Sequence, residues 1–109
     1  MKNTVSKETA KKWMKRWRNM EKDYNKKNPV NGFLIPMIDL KEVMQEIGVT
    51  NVRAYCGIDD NDVEKLLIVG VDKLGNDMIN ESQGQFIYDF THPCPPACGD
   101  LDPDGLLSI

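Results

Sequence analysis

The residue types best suited to chemistry lie together near the end of the chain, where residues 92–105 read H-P-C-P-P-A-C-G-D-L-D-P-D-G. Imidazole and thiolate are ligands that Zn²⁺ prefers, and His92, Cys94 and Cys98 supply three of them. Structural zinc sites usually combine two Cys-x2-Cys knuckles, whereas this segment has one Cys-x3-Cys and no second knuckle. We therefore expect an extended Pro-rich strap with small apolar cysteines, and a zinc site at these three residues is the alternative.

The two cysteines of this segment are close enough in sequence for a disulfide. A reducing cytoplasm argues against a Cys94–Cys98 bridge as the resting state. The chain has three cysteines in all, so at least one thiol stays free unless two chains are cross-linked.

Length and composition predict one ordinary globular domain. The chain has 109 residues, of which 40% are hydrophobic and 28% are charged. The longest apolar run, residues 32–38, is far too short to span a bilayer, and the polar N-terminus has no signal-peptide core. We expect a cytoplasmic protein without a membrane span.

Charge divides the chain into a basic arm and an acidic body. Residues 1–28 carry ten basic and three acidic side chains, a formal charge of +7, and residues 29–109 carry −10. A basic amphipathic arm can bind nucleic acid, which is one alternative function. Because the acidic body repels nucleic acid, we expect the arm to pack on its own body or on a sister subunit instead.

The arm itself predicts an amphipathic helix that begins after Ser6, a candidate N-cap, and runs to about Lys27. Its apolar side chains recur at steps of three and four residues. A helix of twenty residues is about 30 Å long, whereas a strand of five or six residues spans about 17–20 Å. Part of the helix should therefore overhang its own domain and form an interaction surface, which consists of Trp13, Met14, Trp17, Met20 and Tyr24.

The remaining elements predict an α+β fold. Asp39 and Glu42 match a capping box at the start of a second helix, which Gly48 would end. Residues 65–72 are apolar on both faces, which is typical of a central strand. Short turns between the strands indicate antiparallel pairing. We predict two N-terminal helices on one face of a three- or four-stranded antiparallel sheet, with residues 1–28 as helix, 29–91 as core and 92–109 as an extended tail.

The strand at residues 52–58 offers a candidate ligand groove. Arg53 and Tyr55 share one face of the strand and are the polar groups able to line such a groove, or else to contact the first helix. Cys56 alternates onto the face of Val52 and Ile58, so we expect it in the core and not as a nucleophile. The sequence contains no nucleophile elbow, phosphate loop or dinucleotide motif.

Four stretches resemble a group of small bacterial proteins of unknown function that end in a Cys-Pro-Pro-x-Cys tail. The stretches are G-F-L-I-P (32–36), N-V-R-A-Y-C-G-I (51–58), L-I-V-G-V-D (67–72) and Y-D-F-T-H-P-C-P-P-A-C (88–98). The resemblance implies a self-contained cytoplasmic unit and carries no activity.

These observations favour binding over catalysis. We expect a small interaction or regulatory module that has a protein partner, most simply a second copy of itself, and that needs no cofactor. The alternatives are the zinc-stabilised module, the nucleic-acid binder and an enzyme or receptor built around Arg53 and Tyr55.

Overall fold

The computed structural model describes residues 4–27 and 32–94, with the side chains of residues 20–27 excepted. In chain order the elements are β1 (Thr4–Val5), α1 (Lys7–Lys27), β2 (Gly32–Leu34), α2 (Met37–Met44), β3 (Asn51–Ile58), β4 (Glu64–Val71), β5 (Asp77–Met78), a 3₁₀ turn (Glu81–Gln83), β6 (Ile87–Tyr88) and β7 (His92–Cys94). The chain is therefore α+β, as the sequence predicts.

Strand β4 is the centre of a five-stranded sheet. It pairs with β3 on one side, from Asn51↔Val71 to Ile58↔Glu64, and with β5 and β6 on the other. Strand β1 extends the sheet beyond β6, and β2 and β7 form a separate two-stranded sheet. Every pairing is antiparallel, which confirms the predicted pairing mode and the central position of the apolar strand. The sheet gains one strand that the sequence did not reveal, β1, which has only two residues.

The two helices pack on opposite faces of this sheet, so the prediction that both cover one face is corrected. Alternate residues of a strand point to opposite faces. Leu67 and Val69 of β4 pack with α1, whereas Ile68 packs with Val43 of α2 and with Tyr88. Strand β4 is apolar on both faces because both of them are covered.

Helix α1 begins where the sequence predicts and crosses the sheet. The backbone N–H of Thr9 donates to the hydroxyl of Ser6, 3.1 Å away, which confirms the N-cap. Ala10 packs with residues of β4 and β6, and Trp13 lies over β3. The helix then continues to Lys27. It therefore runs from the β6 side of the sheet toward β3.

Helix α2 begins three residues earlier than predicted. Its N-cap is Pro36, which makes no side-chain capping bond, and Asp39 lies inside the first turn instead of capping it. The capping-box prediction is therefore corrected, because proline fixes φ near the helical value and starts the helix before the carboxylate is reached. Gly48 does adopt the predicted left-handed conformation, with φ of 92°, but it follows the end of α2 at Met44.

Strand β3 lies at an edge of the five-stranded sheet, and one of its faces is largely uncovered. Val52, Ala54 and Cys56 point away from α1 and are exposed, whereas Ile58 at the end of the strand is buried. The prediction that Cys56 is a core residue is corrected. Its alternation was read correctly, but α2 covers β4 and β6 and leaves this face of β3 open.

The C-terminal tail begins as a strand. His92–Cys94 pairs with Gly32–Leu34, and Cys94 is buried. This pairing agrees with an extended strap for its first three residues. Residues 95–109, and with them Cys98, lie outside the described residues.

Candidate functional site

The contact between α1 and β3 depends on a glycine. A Cβ atom at Gly57 would lie 3.1 Å from the Cβ atom of Trp13 and 3.3 Å from Cδ1 of Leu67. A side chain at this position would require Trp13 or Leu67 to move by a few tenths of an ångström, so glycine favours the close approach of the helix to the strand. The indole of Trp13 is buried there, with 7% of its surface exposed.

Polar contacts fix the helix at the turn between β3 and β4. The indole N–H of Trp13 donates to Oδ1 of Asp60 at 3.3 Å. The guanidinium of Arg16 donates to the carbonyl oxygens of Ile58 at 3.3 Å and Asp59 at 2.5 Å. The bond from Trp13 lowers the pKa of Asp60, and nearby Lys12 and Arg16 act in the same direction. These contacts set the position of α1 along the sheet.

A cavity of about 180 Å³ lies between the first half of α1 and the sheet. Its lining is mainly apolar, but it also includes polar side chains from both the helix and the strands. The lining residues are Lys7, Ala10, Lys11, Met14, Tyr55, Leu67, Val69, Asp77, Ile79 and Ile87. An apolar cavity with a few convergent polar groups is the common form of a small-ligand site.

One side of the cavity is formed by a bonded trio of polar residues. The guanidinium of Arg53 donates to Oδ1 of Asp77, and the hydroxyl of Tyr55 donates to Oδ2 of the same carboxylate. Arg53 also reaches the carbonyl of Gly75 at 3.5 Å. Both oxygens of Asp77 are therefore engaged, and its negative charge is balanced by Arg53.

The trio keeps Tyr55 protonated. Its hydrogen bond to Asp77, together with partial burial, raises the pKa of Tyr55 above its usual value. A phenol with a raised pKa is a poor general base near neutral pH. The arrangement is therefore suited to holding a ligand or fixing the strands and not to removing a proton.

We expect the Asp77→Ala substitution to lower the free energy of unfolding by about 1 kcal/mol, because it removes the acceptor of two hydrogen bonds that are partly exposed. Urea denaturation measures the loss. Asp72→Ala is not a neutral control, because Asp72 accepts two backbone N–H groups in the next turn. Glu81→Ala, an exposed acid in the 3₁₀ turn, should change the free energy by less than about 0.5 kcal/mol. Equal losses in the Asp77 and Glu81 variants would contradict a structural role of the trio.

The opposite face of the sheet buries carboxylates. Oε2 of Glu46 accepts the Tyr88 hydroxyl at 2.6 Å and the Phe86 backbone N–H at 3.1 Å. Burial, together with this bond to Glu46, raises the pKa of Tyr88 far above its usual value. Asp39 is 0% exposed, and neither of its carboxylate oxygens has a hydrogen-bond partner among the described residues. The two acids therefore occupy contrasting environments under α2.

The structure brings the predicted groove residues together only in part. Tyr55 lines the cavity. Arg53 does not line it but donates a hydrogen bond to Asp77, which does. Their common face is the one that α1 covers, so both of the predicted roles, groove and helix contact, fall on the same side of the sheet.

The predicted interaction surface divides between the core and the solvent. Trp13 is a core residue of its own subunit. Met14 and Trp17 are half-buried, and Met14 lines the cavity. The side chains of Met20 and Tyr24 lie outside the described residues.

The predicted metal ligands are placed as follows. His92 is half-buried and meets Phe90 edge to face, with ring centroids 5.3 Å apart. Cys94 is disulfide-bonded, so the expectation that this thiol is reduced does not hold in the structure, and its sulfur is not a thiolate ligand in this form. Within residues 4–27 and 32–94, no three His, Cys, Asp or Glu side chains are grouped to hold a metal ion.

Three charged residues of the cavity were missed by sequence reasoning. Lys7 and Lys11 carried a signal, since they are four residues apart and share a face of the helix with Met14. Asp77 carried none, because it begins the two-residue strand β5, whose pairing with β4 has no local motif. In the part of the chain that is described, no helix is long and apolar enough to cross a membrane.

Comparison with protein-family models, with curated proteins and with solved structures finds no match.

Proposed function

We propose that this chain is a protein-interaction module that forms a homodimer through α1 and the adjoining edge of β3. The observation that carries the proposal is the course of α1. The helix crosses the edge strand at Trp13 and Arg16 and then continues for eleven residues, which is about 16 Å. An amphipathic helix that extends past the last strand of its own sheet needs another protein surface to bury its apolar face.

The edge of β3 is suited to pairing with a second chain. The Asp59 N–H donates to the Val63 carbonyl, so odd-numbered residues of β3 direct their backbone groups to β4 and even-numbered ones direct them outward. Val52 and Ala54 therefore present backbone donors and acceptors on the side away from β4. Among the described residues no strand pairs with that side.

Natural edge strands are commonly blunted by proline or by charge, and β3 has little of either. It contains no proline, and its one charged residue, Arg53, is bonded to Asp77 on the α1 face. The other face carries the exposed apolar side chain of Val52, which is 48% accessible. Antiparallel pairing of two β3 strands about a twofold axis would bury this strip and would place the two α1 helices side by side on one face.

Charge supports the same partner. Residues 1–28 carry +7 and residues 29–109 carry −10, so the basic helix of one copy is attracted to the acidic body of the other. A nucleic acid would be attracted to the helix but repelled by the body. A second copy of the chain is therefore the partner whose charges are complementary to both the basic helix and the acidic body.

We expect the wild-type chain to sediment at about twice its 12.4 kDa mass, and Ala54→Pro and Trp17→Asp each to sediment as folded monomers. Proline at position 54 removes an N–H that points outward from the edge of the sheet, and it removes no hydrogen bond to β4. Aspartate at position 17 places a charge in the proposed contact between the two α1 helices. Sedimentation equilibrium at micromolar concentrations gives the mass, and circular dichroism confirms the fold.

The matched control is Ile47→Asp. Ile47 is exposed and lines a groove with Gln83 and Phe86 on the β6 side of the sheet, away from α1 and the outer edge of β3, so the same kind of substitution should leave the dimer intact. A monomeric wild-type chain across the concentration range would refute self-association. A dimer that survives both Ala54→Pro and Trp17→Asp would place the interface elsewhere.

A further inference from the structure

We propose that the cavity under the first half of α1 binds a small organic anion, namely a monocarboxylate whose apolar body has about the size of a benzene ring. This site is separate from the dimer proposal, because it lies under residues 7–14 of α1 and not along the overhanging part of the helix. The cavity differs from a simple packing gap in having an apolar interior and a charged rim.

The size of the cavity limits the body of the ligand. Its volume is about 180 Å³, and an apolar protein cavity of roughly 150 Å³ is known to accept benzene. The interior is formed by aliphatic side chains from β4, from β6, from the segment after β5 and from the helix, among them Leu67, Val69, Ile79 and Ile87. A six-carbon ring or short chain fits this space, whereas a nucleotide or a sugar phosphate is too large and too polar.

The rim selects the charge of the ligand. Lys7 and Lys11 both line the cavity and are both exposed, and neither forms an ion pair with a residue in the described ranges. Asp77 is the acid that lines the cavity, and Arg53 and Tyr55 occupy its two oxygens. With Arg53 and Asp77 balancing each other, the two lysines leave the rim with a charge of about +2. An anionic head group is therefore attracted and a cationic one repelled.

The test is a titration of the full chain followed by amide NMR, with sodium benzoate, benzyl alcohol and benzylamine as probes. These three share one ring and differ in charge. We expect benzoate to shift the amide signals of Ala10, Val69 and Ile79, and to bind about tenfold more tightly than benzyl alcohol, since two exposed lysines together contribute an effect of that order. Benzylamine should bind more weakly than benzyl alcohol.

Two variants separate the rim from the interior. Lys7→Gln combined with Lys11→Gln should bring the affinity for benzoate down to that for benzyl alcohol. The control is Lys41→Gln combined with Lys73→Gln, which makes the same change in net charge at exposed positions away from the cavity and should leave the tenfold preference intact. Ile79→Phe should fill the cavity and weaken both probes. If that variant does not fold, the lysine pair still decides the question.

Three results would overturn the proposal. The first is the absence of chemical-shift changes at the cavity amides with benzoate up to about 20 mM. This concentration is above the dissociation constant expected for a specific ligand of this size. The second is equal affinity of the wild-type chain for benzoate and benzyl alcohol. The third is an equal loss of benzoate affinity in the two lysine-pair variants, which would show that net charge acts and not the rim.

Discussion

Trp13→Ala should lower the free energy of unfolding by about 3–5 kcal/mol, the range found when a buried aromatic side chain is truncated. The indole fills the space between α1 and β3, where Gly57 allows the close approach, and its N–H also donates to Asp60. Truncation leaves a void that the rigid hairpin of β3 and β4 cannot close. Chemical denaturation monitored by circular dichroism at 222 nm measures the change.

The control for this substitution is Trp17→Ala, one turn further along the same helix. Trp17 is half-buried in the single chain, so its truncation should cost clearly less than that of Trp13 when measured on the monomeric form. The monomer can be obtained with Ala54→Pro as the background. A larger loss at position 17 than at position 13 in that background would contradict the assignment of Trp13 as the residue that anchors the helix.

Asp39→Asn should raise the free energy of unfolding at pH 7, because a neutral amide replaces a carboxylate whose charge is disfavoured by burial. Burial, followed by the nearby charge of Glu42, raises the pKa of Asp39, while the nearby backbone of Phe90 and, more weakly, His92 act in the opposite direction. The folded state thus holds the proton more tightly than the unfolded state, whose pKa is about 3.9. The wild-type chain should therefore lose stability as the pH rises from about 4 through the folded pKa.

Urea denaturation at pH 3 and pH 7 checks this sign. The gain in Asp39→Asn should be present at pH 7 and nearly absent at pH 3, where the wild-type carboxyl is mostly protonated in both the folded and the unfolded state. Part of the decline with pH should persist in the variant, because burial also raises the pKa values of Glu64 and Asp89. A variant that is less stable than the wild type at pH 7 would show that the ionised carboxylate of Asp39 is stabilised.

Glu46→Ala provides the contrast on the same face of the sheet. Its carboxylate accepts bonds from Tyr88 and Phe86, so removal leaves two donors without their partner and should cost about 1–3 kcal/mol. Opposite signs at positions 39 and 46 are expected because Glu46 accepts two hydrogen bonds, whereas at Asp39 the cost of burial outweighs the nearby backbone of Phe90.

The elements with strong local signals could be predicted from the sequence. Ser6 is the N-cap of the first helix, and the continuous apolar run of β4 indicated a strand covered on both faces, because burial demands that composition. The faces themselves could not be assigned, since β4 offers the same pattern to a helix on either side. Sequence alone does not say that α1 takes the side of Leu67 and α2 the side of Ile68.

The candidate site was less accessible to prediction than the fold. Arg53 and Tyr55 were identified as polar residues on one strand face, but Asp77 joins them from the two-residue strand β5, which carries no sequence motif. Cys56 was misplaced for a related reason. Alternation gives the face of a residue, but whether that face is covered depends on the length and placement of α2, which ends at Met44.

The pairing of β1 with β6 has a consequence for synthesis of the chain on the ribosome. Thr4 of β1 pairs with Tyr88 of β6. The hydrophobic cluster in which Ala10 and Trp13 of α1 pack includes Ile87 of β6. The first helix is made early, yet its docking surface is complete only after 88 of the 109 residues, about four-fifths, have been translated. Until then the apolar face of the helix, which carries both tryptophans, is not packed against the sheet. The nascent chain therefore exposes a hydrophobic segment that a chaperone or a neighbouring nascent chain can bind.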